Sequence, residues 1–178
     1  MYLYPIHPDD LGAFEGIRQQ LILRRRLLDV SAKELSLRSG RGEGFLYGLE
    51  NQLRDSPLLS SLQDWAKVLG CRVEFGIENF WLHSHTDREM LTQYTMSRQW
   101  GEDVWMRQWL VSALRVWRIK QGMDVEHVAP LMGVSAAGIR DWESQATDPV
   151  LKRLMLQARV LGSRLTLQLW QQEDWNFQ

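Results

Sequence analysis

The stretch 124–143, DVEHVAPLMGVSAAGIRDWE, constrains the fold of this chain more than any other segment. Val125, Val128, Ala129 and Met132 fall on one helical face, Gly133-Val134-Ser135 interrupts the period, and Ile139 and Trp142 resume it. Gly133 can take the left-handed conformation that closes a helix, and Ser135 can cap the next one through its hydroxyl. Ala129 is small where two helices must approach closely. The spacing therefore predicts a helix, a glycine turn and a capped second helix, with Pro130 expected to distort the first by removing a backbone donor.

These residues resemble the helix-turn-helix of the lambda-repressor and Cro family. Ala129, Gly133, Val134 and Trp142-Glu143 stand where that family has a small residue, a turn glycine, an apolar residue and a Trp/Leu-Glu pair. The likeness continues into Asp148-Pro149, a helix over 150–161 and Leu161-Gly162.

A second copy lies upstream. Residues 31–50 align without a gap on 124–143, placing Leu35 on Val128, Ser36 on Ala129, Gly40 on Gly133, Leu46 on Ile139 and Leu49-Glu50 on Trp142-Glu143. After one residue is lost in the loop, 58–69 meets 150–161; upstream, Leu21 and Arg25 fall on Leu114 and Arg118. The first copy is the poorer match, because Gly42 and Gly44 weaken the start of its second helix, each by up to ~1 kcal/mol against alanine. Each copy ends in apolar alternation, Val73, Phe75 and Ile77 in one, Leu165, Leu167 and Leu169 in the other, which predicts one strand apiece. A lone strand leaves its backbone unpaired. Pairing the two strands with each other would join the halves as an internal pseudo-dimer; pairing with a second chain, giving a homodimer, is the alternative.

The expected fold is therefore mainly α, with two lambda-repressor-like helical bundles, each followed by a short β-strand. Its domains are 1–82, a connecting helix or linker 83–102, and 103–178. Asp9 or Asp10 is expected to cap a first helix reaching about Leu28, with Leu11, Phe14, Ile17, Leu21 and Leu28 facing inward. Thr86-Asp87-Arg88-Glu89 reads as a capping box opening a helix to about Trp100.

What the resemblance implies is sequence-specific binding of double-stranded DNA, the second helix of each motif lying in the major groove. Carried over position by position, the reading residues of the second copy are Ser135, Ala136, Ala137, Arg140, Ser144 and Gln145, with Arg140 suited to bidentate contact with guanine. Those of the first copy are Gly42, Glu43, Gly44, Tyr47, Asn51 and Gln52. Lys33, Arg54, Lys152 and Arg153 lie where family members often touch phosphates, though ordinary surface charge explains them equally. Because the readers differ, the expected operator is asymmetric or bipartite. A repressor follows, of the kind bacterial or phage regulators represent, and a phage immunity repressor fits the size.

Charge argues in the other direction. The 178 residues carry a formal net charge of −1, and the portions before and after Leu82 hold 10 basic against 11 acidic residues and 11 against 11. Neither half is a polycation, so the salt-dependent phosphate contribution should be modest. A protein-interaction module, such as an antitoxin or an anti-regulator, is the alternative function.

Other classes find little support. Cys71 is the single cysteine, which excludes an internal disulfide and fits a reducing cytoplasm. No apolar run approaches the roughly 20 residues of a membrane span, and MYLYPIHPDD does not read as a secretory signal. His83 and His85 lack partners at zinc-site spacing, and no nucleophile–base set or phosphate loop is evident, so neither an enzyme, a metal nor a cofactor is expected. The tryptophans Trp109, Trp117 and Trp142 sit at core spacing, whereas Trp170 and Trp175 are placed to cover an interface between the halves.

Overall fold

The computed structural model describes residues 7–51, 56–78, 80, 88–89, 91 and 102–171. Among them the chain is mainly helical, with eight helices and a two-stranded antiparallel sheet. In order these are α1 (Pro8–Leu27), α2 (Ala32–Arg38), α3 (Phe45–Glu50), α4 (Leu59–Val68), β1 (Cys71–Glu78), α5 (Glu102–Lys120), α6 (Val125–Met132), α7 (Ala136–Glu143), α8 (Leu151–Val160) and β2 (Arg164–Gln171). β1 hydrogen-bonds to β2. The capping box and helix expected before residue 102, and His83, His85 and Trp175, lie outside the described residues apart from helical positions at 88, 89 and 91. No helix among the described residues is long and apolar enough to cross a membrane.

Two compact units divide the chain. The first is built on Pro8–Glu74 and takes in β2 from Leu167; the second is built on Phe75–Thr166. The division thus falls inside the strands.

In the first unit α2 packs on α3 and α4 around Leu21, Leu35, Leu46, Leu59, Leu62 and Trp65, all buried. α1 begins at Pro8, whose missing N–H costs nothing at a helix start. That places Asp9 and Asp10 inside the first turn rather than at the cap, and Asp10 is buried. Ile17 and Leu21 face inward as expected, but Leu11 and Leu28 are exposed. Leu11 is off the face set by Ile17 and Leu21, and Leu28 lies beyond the last helical residue.

In the second unit α6 packs on α7 and α8, and α5 meets both α7 and α8. The core here includes Leu110, Leu114, Val116, Val128, Met132, Ile139, Trp142, Leu151 and Leu154. Phe80 packs edge-on against Trp109 and Trp117, with centroids 6.3 and 5.6 Å away. The helix runs through Pro130 and two residues further, so this proline does not end it.

At the turn and at one ion pair, corresponding positions in the two units fold alike. Gly40 and Gly133 are both left-handed, with φ of 70° and 63°. After each, an amide bonds back five residues, Arg41 to the Ser36 carbonyl and Val134 to the Ala129 carbonyl, so the glycine closes one helix and turns the chain into the next. The Arg25 guanidinium clamps Glu50 at 2.6 and 2.7 Å and donates to the Val30 carbonyl at 2.8 Å. Arg118 clamps Glu143 at 2.9 and 2.6 Å and donates to the Met123 carbonyl at 2.7 Å. Each clamp ties the end of the short helix after the turn to the long helix before it. The hydrogen bond to Glu50 raises the Arg25 pKa above its ordinary value, so this cation stays charged at any working pH.

Candidate nucleic-acid interface

α7 is held by its inner side. Ile139, Trp142 and Glu143 are buried, and the Trp142 indole N–H donates to Gln157 Oε1 at 3.1 Å, while Gln157 Nε2 donates to Glu143 Oε1 at 3.2 Å. Its start is fixed by Ser135, whose hydroxyl accepts from the Gly138 amide at 3.0 Å. A helix anchored along one side and at its first turn has one side left to present. There Ala137, Arg140 and Ser144 are exposed and Ala136 is half-buried. Gln145 is different. With φ of 63° it turns back, and its Nε2 reaches Ser112 Oγ at 3.5 Å, so it does not join the outward row. Lys152 is half-buried, whereas Arg153 is exposed with its guanidinium 6.0 Å from the centre of the Trp142 ring.

α3 is shorter, and its N-cap is Gly44, which has no side chain to offer. The amide of Leu46 donates instead to Ser36 Oγ on α2 at 3.1 Å, and that hydroxyl donates on to the Ala32 carbonyl at 2.8 Å. Gly42, Glu43 and Gly44 precede the helix, all exposed, and Tyr47 projects from it at 59% exposure. Asn51 bonds back to the Tyr47 carbonyl at 2.9 Å. Gln52 and Arg54 lie outside the described residues. The structure thus gathers Glu43, Tyr47 and Asn51 on or beside one short helix, and Ala137, Arg140 and Ser144 on another.

Neighbouring charges set the chemistry of each surface. Arg140 is ion-paired with Glu126 at the first turn of α6. In the first unit Lys33, in the first turn of α2, pairs with Glu43 at 3.0 Å. Both pairs are more than half exposed. Over 31–50 the charges balance, Lys33, Arg38 and Arg41 against Glu34, Glu43 and Glu50, but over 124–143 Arg140 stands against Asp124, Glu126, Asp141 and Glu143. Beside Arg140 a cleft of about 420 Å³ opens between Arg115 and Arg118 of α5 and Asp124 to Glu126 at the start of α6.

Helical spacing in the sequence does not point to Glu126 or to the Lys33–Glu43 pair, because one contact joins two helices and the other joins a helix to the turn after it. The signal was in the repeat, where Lys33 and Glu126 share a position. No group of three or more metal-binding side chains occurs among the described residues. Comparison with protein-family models, curated proteins and solved structures returned no match to this chain.

Proposed function

We propose that this chain is a sequence-specific regulator that binds double-stranded DNA, acting in the cytoplasm as a transcriptional repressor through two unlike helix-turn-helix readers in lambda-repressor-like bundles. The observation that carries this reading is α7. A left-handed glycine, a serine cap and three buried anchors fix a short helix whose outer side presents Ala137, Arg140 and Ser144. That combination suits insertion into a major groove, with the Arg140 fork on guanine and Ala137 against a thymine methyl. α3 would present Tyr47 and Glu43 instead, so the preferred site is bipartite and lacks two-fold symmetry. The protein acts as a monomer on this reading.

The test is a gel shift against duplexes selected from a random pool, at two salt concentrations. Binding should weaken with salt, and Arg140→Ala should cost about 1–3 kcal/mol and relax preference at one base pair.

A second reading rests on a specific observation: the excess of acid over 124–143, with Arg140 already paired to Glu126. A surface of that charge suits a basic protein partner, as in an interaction module that antagonises another regulator. Failure to retain any duplex from the pool at low salt would favour it.

A further inference from the structure

The two exposed ion pairs share one aligned position, Lys33 in the first copy and Glu126 in the second, while their partners Glu43 and Arg140 stand at different ones, and stability explains both pairs poorly. Arg140 and Glu126 are 55% and 58% exposed, Lys33 and Glu43 65% and 61%, and pairs so open to water contribute little to folding. What they share is geometry. In both, the residue two positions after the cap of the first helix, Lys33 or Glu126, reaches across to the turn or the helix that follows. The charges are inverted, so in one copy a base holds an acid and in the other an acid holds a base.

We infer that Glu126 is a positioning residue for Arg140, restraining its guanidinium so that it reads a base edge instead of swinging to a phosphate. The inference rests on the proposal that α7 meets DNA. An unrestrained arginine on an exposed helix can satisfy itself on phosphate oxygens, which carry no sequence information. Glu126 engages the guanidinium at Nη2, and a fork of five N–H donors offers more than one carboxylate can accept. Its carboxylate also repels phosphates, lowering affinity for every sequence alike. Together these effects exchange general affinity for discrimination. Lys33 plays the same part for Glu43, the acid that can accept from a cytosine amino group, so the inverted pairs assign the two readers opposite base-edge chemistry.

The experiment compares the full chain with Glu126→Gln, Glu126→Asp, Arg140→Ala and the double variant Glu126→Gln/Arg140→Ala. Each is tested on the best duplex selected by the wild type and on a scrambled duplex of the same length. Glu126→Gln should bind the scrambled duplex more tightly, with a steeper salt dependence, and lose about tenfold of its preference for the selected one. Glu126→Asp should keep most of that preference. In the Arg140→Ala background, Glu126→Gln should leave the preference unchanged. If Glu126→Gln keeps full preference while Arg140→Ala loses it, Arg140 reads without help: the positioning role is overturned and DNA reading stands. If the wild type retains no duplex, the reading itself falls and the inference falls with it. Thermal melts settle folding, which substitution of so exposed a side chain should not disturb.

Discussion

The helix–turn–helix path over 31–50 and that over 124–143 solve one problem with different residues. Both must fix the start of a short helix and bury the acid at its end. The later copy does this locally, with Ser135 capping its own helix and with Trp142, Gln157 and Glu143 satisfying one another. The earlier copy borrows. Its cap comes from Ser36 on the neighbouring helix, and Trp65 occupies the position of Gln157, buried, with an indole N–H that has no partner among the described residues. An unmet buried donor costs roughly 1–3 kcal/mol. The difference teaches that the clamp and the left-handed turn define the scaffold, while caps and core polar bonds can be moved between elements.

The clamp should therefore dominate the energetics of both copies. Arg118 and Glu143 are 9% and 4% exposed, Arg25 and Glu50 14% and 10%. Glu143→Gln would leave a buried guanidinium without its counter-charge, a loss on the order of 3–5 kcal/mol. Glu50→Gln should cost less, since water reaches Arg25 more easily. Equilibrium urea unfolding, followed by circular dichroism, checks both. Equal losses would break the comparison, for the later clamp would then derive nothing from its deeper burial.

Much of this was legible in the one-dimensional pattern, and the limits are instructive. Gly133 and Ser135 declared their roles because one needs a left-handed backbone and the other a hydroxyl at a helix start; both requirements are local. The repeat set Arg25 above Arg118 and Glu50 above Glu143, yet nothing in spacing joined the columns to each other. Residues 25 positions apart meet only after packing. The resemblance, carried over position by position, puts Gln145 in the outward row after Glu143. The helix stops there, and a positive φ turns the side chain inward. The strands were legible as alternation, but the cost of an unpaired edge left open whether they pair with each other or with a second chain, and β1 hydrogen-bonds to β2.

A smaller effect sharpens the contrast in capping. Ser36→Ala would copy the alanine found at position 129 of the other motif, and by alignment alone it looks harmless. It should instead cost about 1–3 kcal/mol, because Ser36 is fully buried and the Leu46 amide would lose its acceptor. Ser135→Ala removes an exposed cap whose amide water can satisfy, and should cost about 1 kcal/mol. Urea midpoints of the two variants, measured together, decide the order. A reversed order would mean that α3 does not depend on its neighbour for a cap.

The smallest expected effect has the opposite sign. Gly44 sits at φ of −85° with nothing within 4 Å of where a Cβ would lie, so alanine fits without strain. Gly44→Ala should stabilise the first unit by about 0.4–1 kcal/mol, chiefly by restricting the unfolded chain. The same residue lies at the proposed reading edge of α3, so the substitution also separates two explanations for glycine there. If stability rises and the selected DNA site is unchanged, Gly44 is a relic of a weaker helix start. If stability rises while preference at the half-site read by the first motif falls, the backbone itself approaches the duplex at this point, and the earlier copy is an active reader in spite of its borrowed cap.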